Sequence, residues 1–268
     1  MERVLVTGAA GEIGRVLRAG LRGRYRLLRL TDVREPSPAS AGEEVVTADL
    51  SDVAAAHAVT EGIDCVVHLA GVPREGAWED ILRGNLIVTY NVFEAARRNG
   101  VKRIVFASSN HVTGYYPVGR AIDPGVPPRP DSRYGVSKGF AELLGRLYAD
   151  KHGLSVACLR IGSFRERPRS ARQLRTWISH RDTVQLVMRA VEAPDFHFIV
   201  VYGVSANTRN EWRNPAAELI GYRPVDNAEA FAAEIENKLD PAGPARDFQG
   251  GEFCAMEFDS DPRRINGT

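Results

Sequence analysis

A tyrosine and a lysine four residues apart are the side chains whose types and spacing are best suited to chemistry. Tyr134 and Lys138 lie in the segment Tyr-Gly-Val-Ser-Lys, and on a helix this spacing places both on one face. A free tyrosine has a pKa near ~10 and is a poor base at neutral pH, but the neighbouring lysine charge and the positive charge of a bound cofactor would both favour the phenolate. The pair is therefore predicted to transfer a proton; the competing interpretation is an exposed helical pair without a chemical role.

A glycine-rich turn near the amino terminus is the second feature that indicates a site. The apolar run 3–7 leads into three glycines spaced by three residues, and an apolar-periodic stretch through Leu17 follows. Such a strand, turn and helix allow close backbone approach, and the helix start offers N–H groups and a positive dipole end to a diphosphate. The residues expected to contact a dinucleotide here are Gly8, Gly11, Glu12, Ile13 and Gly14.

An acidic residue follows the second predicted strand. The strand 25–31 ends at Asp32, about twenty residues after the glycines, where a carboxylate can accept hydrogen bonds from an adenosine ribose diol. This favours NAD over NADP, because a 2′-phosphate would be repelled. Arg34 either softens that preference or is a solvated loop charge.

Size and composition exclude several classes of protein. With 268 residues, 44% of them hydrophobic, the chain can bury one substantial core, and a formal net charge of +1 gives no drive towards nucleic acid or membrane. The three cysteines have no metal-ligand spacing, so we expect no metal and a reduced, cytoplasmic protein. No run is long enough to span a membrane, and the first residues lead directly into a strand with no room for a signal peptide.

Alternating strand-like and helical patterns predict an α/β fold with a doubly wound parallel sheet of the Rossmann type and a small C-terminal substrate lobe. We expect residues 1–160 to form the NAD-binding core and 161–268 the substrate lobe and tail, within one compact domain. The predicted strands of the core are 3–7, 25–31, 44–47, 64–69, 102–107 and 155–160. The predicted helices are 12–22, 52–60, 78–99 and 132–152, while a helix at 182–193 and a strand at 196–202 are assigned to the lobe.

Residues at the carboxyl ends of parallel strands are expected to meet the cofactor. Asp49 and Leu50 follow the third strand and are placed to contact the adenine. His68 ends the fourth strand and is interpreted as a hydrogen-bonded structural residue. Asn85 is a further candidate for the cofactor side, with a packing role as the alternative. The backbone is expected to pass beneath the cofactor at Leu69, Ala70 and Gly71, where the small residues of the segment leave room.

The fifth strand delivers Ser109, Asn110 and His111 to the same edge. The Ser109 hydroxyl could donate to a substrate oxygen whose proton Tyr134 removes, as hydride transfer from a carbinol requires. Asn110 and His111 either bind further hydroxyls of a sugar-like substrate or satisfy the loop backbone.

Six arginines lie between residues 165 and 181. They form either a solvated basic loop or a substrate lid in which one arginine makes a bidentate contact with a carboxylate. Nucleic acid binding is not expected, because no stacking aromatics are interleaved with the arginines. In the tail, Phe248, Phe253 and Phe258 either pack in the core or line the pocket.

The order of the glycine turn, Asp32, Ser109 and the Tyr134/Lys138 pair resembles the extended short-chain dehydrogenase/reductases over nearly the whole chain. Within that group the chain is similar to the uronate dehydrogenases. The segments that carry the closer resemblance are Gly-Ala-Ala-Gly at 8–11, Phe-Ala-Ser-Ser-Asn-His at 106–111, Gly-Tyr-Tyr-Pro at 114–117, Tyr-Gly-Val-Ser-Lys at 134–138, Arg-Ile-Gly-Ser at 160–163 and Thr-Trp-Ile-Ser-His at 176–180.

This resemblance implies oxidation of the anomeric carbon of D-glucuronate or D-galacturonate with NAD, giving an aldarolactone that opens to the aldarate. It implies Ser109, Tyr134 and Lys138 as the catalytic set, with Tyr134 and Lys138 also contacting NAD. The residues implied at the sugar acid are Ser109, Asn110, His111, Tyr134, Ser163 and Arg172, with Arg172 as the carboxylate anchor. Pro73 stands where some relatives have a serine, and we expect a homo-oligomer packed through long helices.

Two other functions fit the same scaffold. A nucleotide-sugar epimerase or dehydratase usually needs a larger carboxyl-terminal lobe than the 108 residues after 160. A non-catalytic NAD-binding sensor often lacks the tyrosine and lysine pair. The sequence does not rank glucuronate against galacturonate, because they differ in one hydroxyl configuration.

Overall fold

A seven-stranded parallel sheet forms the centre of the protein in a computed structural model that describes residues 1–266. The strands are β1 (Arg3–Thr7), β2 (Leu27–Asp32), β3 (Glu43–Thr47), β4 (Cys65–His68), β5 (Arg103–Ser109), β6 (Ser155–Ile161), β7 (Ser163–Phe164), β8 (Trp177–Ile178) and β9 (Phe198–Gly203). The main helices are α1 (Glu12–Leu21), α2 (Val53–Thr60), α3 (Trp78–Ile81), α4 (Val88–Arg98), α5 (Arg133–His152), α6 (Gln173–Thr176) and α7 (His180–Glu192). Short helices follow, α8 (Ala232–Ile235), α9 (Pro244–Asp247), α10 (Glu252–Ala255) and α11 (Pro262–Asn266).

The strand order is β3-β2-β1-β4-β5-β6-β9, and every neighbouring pair is parallel. Both faces of the sheet are covered. Val4 and Val6 of β1 pack into a cluster with α1 and α7, whereas Leu5 between them packs into a cluster with α2, α4 and α5. Because these strands are buried on both faces, their sequences are almost continuously apolar. The predicted doubly wound Rossmann sheet is confirmed, and its strands end together at one edge.

The assignment of helix 182–193 and strand 196–202 to the small lobe is wrong. After β6, the chain returns through α7 and pairs β9 in parallel with β6, with Val156 opposite Phe198 and Ile161 opposite Gly203. The apolar residues of β9 are buried because this strand is the seventh of the main sheet. The smaller part consists of the two-stranded sheet β7–β8 and the short helices α8 to α11, and residues 267 and 268 of the predicted lobe lie outside the described residues.

The helix predicted over 78–99 contains a π-helical turn, Leu82–Ile87, between α3 and α4. Such turns insert one extra residue and are frequent at functional sites. Among residues 1–266, no helix combines the length and apolar character needed to cross a membrane.

Candidate active site

The glycine turn leaves no room for side chains where β1 meets α1. Gly8 has a φ of +68°, and a Cβ at this position would lie 2.8 Å from the backbone nitrogen of Ala70. A Cβ on Gly14 would lie 2.4 Å from the carbonyl oxygen of Gly8, so α1 packs directly on the turn. No side chain caps α1 at Gly11 in the described structure. The N–H groups of the first helical turn are thus left for a ligand at the positive end of the helix.

The Asp32 carboxylate lies beside this turn and is only 8% exposed. It accepts hydrogen bonds from the backbone N–H groups of Ala10 and Arg34, both at 3.0 Å. The Arg34 guanidinium is 3.6 Å from the same carboxylate, so this arginine is an ion-pair partner of Asp32 as well as an exposed loop charge. The position matches the one expected for an acid that binds a ribose diol.

The loops after β3 and β4 line the same edge. The backbone N–H groups of Leu69 and Ala70 both donate to Thr7 Oγ1. Asp49 is exposed and pairs with Arg83 at 2.9 Å, while Leu50 is buried. Hydrogen bonds from Ser51 and Arg83 lower the pKa of Asp49. Contact of Asp49 and Leu50 with an adenine stays a prediction.

Asn85 lies in the π-helical turn and is buried. Its side chain accepts from the N–H of Val72 at 2.6 Å, donates to the Val72 carbonyl at 3.2 Å and donates to Ser137 Oγ at 2.9 Å. A Cβ on Gly71, whose φ is +146°, would lie 2.7 Å from Asn85 Oδ1. The structure therefore gives Asn85 the role of tying the loop after β4 to α5, which was the alternative interpretation, and direct contact with a cofactor stays a prediction.

His68 is a structural residue, as interpreted from the sequence. It is fully buried, with Nδ1 2.8 Å from Thr7 Oγ1 and Nε2 3.3 Å from Thr89 Oγ1. Burial, with a smaller contribution from the charge of Lys138, lowers the pKa of His68 to about 3. The imidazole is therefore neutral and joins β1, β4 and α4.

Ser109, Tyr134 and Lys138 come together at the edge between β5 and α5. The Ser109 hydroxyl accepts from the N–H of His111 at 3.2 Å and lies near enough to the Tyr134 phenol to lower its pKa. Ser108 faces the other way and donates to Glu142 Oε1 at 2.5 Å. Lys138 Nζ donates to the Ala107 carbonyl at 2.8 Å and lies 5.5 Å from the centre of the Tyr134 ring. Alternation along β5 thus brings Ser109 to the tyrosine.

Burial dominates the ionisation of both helical residues. It raises the pKa of Tyr134 to about 12, with the nearby Ser109 hydroxyl acting in the opposite direction. It lowers the pKa of Lys138 to about 8. In the protein without a ligand, removal of the phenolate from water therefore dominates the pKa of Tyr134. The predicted depression of this pKa, which also needs the positive charge of a bound cofactor, stays a prediction.

The residues predicted to contact a sugar acid lie next to Ser109. Asn110 follows it directly and, with its amide oxygen turned to Arg172, accepts from an Arg172 guanidinium nitrogen at 3.0 Å and donates to the Ile161 carbonyl at 3.2 Å. Arg172 also donates to Ser163 Oγ at 3.3 Å. The structure therefore brings Asn110, Ser163 and Arg172 into one cluster beside Ser109.

Arg172 is set apart from most of the other five arginines by its surroundings. Arg165, Arg167, Arg175 and Arg181 each lie within 4 Å of a carboxylate, and Arg169 is exposed. Arg172 is half-buried, and no carboxylate in the described part of the chain lies within 4.0 Å of it. Its Nε donates to the Gln249 carbonyl at 2.9 Å, and burial lowers its pKa. Asp131 and Asp240 act on it only from beyond ion-pair distance, and their effect on its pKa is smaller than that of burial. A desolvated guanidinium without a carboxylate in direct contact favours binding of an anion.

His111 is held by a carboxylate that was not among the predicted site residues. His111 Nδ1 is 2.7 Å from Asp131 Oδ2, and the Asp131 side chain is completely buried. The imidazole stacks on Phe253 with a centroid distance of 4.1 Å and meets the Tyr134 ring edge-on at 5.9 Å. Asp131 precedes the N-cap Ser132 of α5, and this capping segment was the available sequence signal.

Two further contacts were not predicted. Glu75 Oε2 accepts from the N–H of Tyr134 at 2.9 Å, and the Gln249 carbonyl accepts from Arg172. Both come from irregular segments whose sequence carries no periodicity, so no pattern indicated them. Phe253 lines the site, which was one of its two interpretations, whereas Phe248 is fully buried.

The chain matches the NAD dependent epimerase/dehydratase family over residues 4–164. It is 44% identical over 255 residues to the uronate dehydrogenase of Pseudomonas putida, covering 94% of this chain and 95% of that protein. It is 47% identical over 256 residues to the uronate dehydrogenase of Agrobacterium fabrum, covering 94% and 97%.

Solved structures give the same result. A tyrosine-to-alanine variant of uronate dehydrogenase from Agrobacterium tumefaciens, complexed with NAD, has a TM-score of 0.91 at 46% identity, covering 95% of this chain and 97% of that one. The fold and the site thus define an extended short-chain dehydrogenase/reductase. The chain belongs to the NAD-dependent epimerase/dehydratase family and, within it, to the uronate dehydrogenase family. The resemblance predicted from the motifs is confirmed.

Proposed function

We propose that this protein oxidises a hexuronic acid, D-glucuronate or D-galacturonate, at C1 with NAD and releases the aldarolactone. The observation that carries the proposal is the half-buried Arg172 guanidinium, which has Asn110 and Ser163 as neighbours and no carboxylate partner within the described residues. A guanidinium in this state fits the one group that distinguishes a uronate from a neutral sugar, its carboxylate.

The residues present fit NAD. The positions of Gly8 and Gly14, where a Cβ would collide with backbone, form a cradle for a diphosphate, and Asp32 lies where a ribose diol is recognised. The acid also disfavours a 2′-phosphate. The backbone of the turn and of the helix start would hold the diphosphate, at Gly8, Gly11, Glu12, Ile13 and Gly14. Asp32 would hold the ribose, and the rest of the cleft would be formed by Asp49, Leu50, Leu69, Ala70, Gly71 and Asn85.

The chemistry needs a base, an oxygen-orienting donor and a hydride acceptor. When bound, NAD supplies the hydride acceptor and a positive charge that favours the Tyr134 phenolate. Tyr134 removes the O1 proton while Ser109 donates a hydrogen bond to O1. The electrons of the O1–H bond stay on O1 and form the second bond to C1, while the hydrogen on C1 leaves with its bonding pair as hydride. The hemiacetal thereby becomes a lactone in a step that uses neither a nucleophile nor a metal. Lys138 supplies a fixed positive charge beside the phenol.

The substrate is oriented by groups with fixed partners. Arg172 anchors the carboxylate, Ser163 and Asn110 flank it, and His111, held by Asp131, faces the hydroxyls beside Tyr134. Because Arg172 has no carboxylate within ion-pair distance in the described residues, its guanidinium is the charge that selects a sugar acid.

Arg172→Met tests this assignment. Removing a charge-assisted contact is expected to lower kcat/KM for glucuronate roughly 100-fold, while NAD binding measured by fluorescence titration stays unchanged. Arg169→Met, an exposed arginine of the same segment, is the matched control and should behave as wild type. Equal losses in uronate turnover and in NAD affinity would contradict the anchor role of Arg172.

A further inference from the structure

Arg165 and Glu12 face each other at the start of α1, where the proposed function puts the cofactor diphosphate. Arg165 Nη1 is 3.8 Å from Glu12 Oε2. Glu12 is the first residue of α1, and Arg165 directly follows β7. The two side chains therefore connect the glycine turn to the segment after β6.

The backbone of Arg165 is fixed in this place. Its N–H donates to the Ile178 carbonyl at 3.4 Å, and its carbonyl accepts from Trp177 Nε1 at 2.8 Å. The preceding Phe164 packs against the same hydrophobic cluster as Ile13 of α1. The segment thus lies against the helix start, and only the guanidinium end of Arg165, with 45% of the side chain exposed, is free to change partner.

The present partner holds Arg165 weakly. Its distance from Glu12 exceeds that of a hydrogen bond, and both side chains are exposed. Arg167, two residues on, donates to both Glu234 oxygens at 3.2 Å and lies over the Phe231 ring. Arg167 is thus occupied elsewhere, whereas Arg165 can exchange its partner at little cost.

The charge of Glu12 creates a need for such an exchange. A carboxylate in the first turn interacts favourably with the positive end of a helix, but a bound diphosphate needs the same N–H groups and is repelled by the carboxylate. Arginine presents a planar fork that matches phosphate oxygens.

We propose that Arg165 is a binding residue for the cofactor diphosphate, which replaces Glu12 as the partner of its guanidinium. The proposal rests on the NAD binding of the proposed function. Glu12 thereby acts as a competitor: it neutralises Arg165 in the ligand-free protein and weakens the cofactor complex.

The test is equilibrium binding of NAD and of ADP-ribose, followed by protein fluorescence, and it needs no turnover. Arg165→Gln is expected to weaken both ligands by the same factor, roughly 5- to 10-fold, as for one partly exposed charge-assisted contact. Glu12→Gln is expected to tighten both by roughly 2- to 3-fold. When Arg165 is already replaced by Gln, Glu12→Gln should change the affinity by a factor different from the one it gives in the wild-type protein, because the two side chains are coupled. Arg167→Gln is the matched control and should bind as wild type.

Three results would overturn the proposal. The first is an unchanged affinity of Arg165→Gln for both ligands. The second is an equal loss of affinity in Arg167→Gln, which would indicate a long-range electrostatic effect of all the arginines in the segment rather than a contact of Arg165. The third is a loss for NAD without a loss for ADP-ribose, which would place Arg165 at the nicotinamide side. A wild-type protein that binds neither ligand would instead contradict the proposed function itself.

Discussion

Replacing Lys138 by methionine should change how stability depends on pH. Burial lowers the pKa of this lysine from 10.5 to about 8. Below pH 8, Lys138 is charged in both the folded and the unfolded protein, and in the folded protein this ammonium is buried. Above the ordinary lysine pKa, Lys138 is neutral in both states. Between these limits the unfolded chain binds more protons, so the stability of the wild type rises with pH. At about 1.4 kcal/mol for each pH unit, the buried charge costs about 3 kcal/mol at pH 7 and under 1 kcal/mol at pH 10.

The assay is urea unfolding of both proteins between pH 7 and pH 10. The free energy of unfolding of the wild type minus that of Lys138→Met should rise by about 2 to 3 kcal/mol over this range. Other groups titrate equally in both proteins and cancel in the difference. The hydrogen bond to the Ala107 carbonyl adds only a constant, because a neutral amine can still donate. Parallel stability curves would show that Lys138 keeps its ordinary pKa and refute the reasoning.

Two substitutions test other parts of the site. Tyr134→Phe should lower kcat by roughly 10²- to 10⁴-fold, because it removes the base, while NAD affinity in a fluorescence titration stays near wild type; near-normal turnover would rule out the base role. Asp131→Asn should lower kcat/KM for the uronate by roughly 10- to 100-fold, because His111 loses its charged partner. Asp150→Asn, which changes the exposed pair with His197, is its control, and equal effects in both variants would contradict a positioning role for Asp131.

The core of the fold could be predicted because its strands are buried on both faces. The runs at 3–7 and 155–160 read as continuous apolar strands for this reason, and the structure has them at β1 and β6. β9 was recognised as a strand but placed in the wrong part of the molecule. Its partner, β6, is adjacent in space and separated by α7 in sequence, and a local pattern carries no information on pairing.

The candidate site was predictable where chemistry fixes both residue type and spacing. The glycine turn, Asp32 and the Tyr134/Lys138 pair are of this kind, and the structure gathers them at one edge. Asp131 and Gln249 reach the site through tertiary packing of an N-cap segment and an irregular tail, so spacing could not reveal them. The raised pKa of Tyr134 in the protein without a ligand could not be predicted, because burial, which dominates it, is a property of the folded chain.

The central claim is that this site oxidises a sugar acid selected by its carboxylate. The most direct measurement is NADH formation at ~340 nm with the purified protein, NAD and a panel of glucuronate, galacturonate, glucose and galactose, since only reduced nicotinamide absorbs there. We predict turnover of the uronates and none of the neutral sugars. Comparable rates on glucose or galactose would remove the role given to Arg172, and no turnover of any of the four would contradict the proposed function.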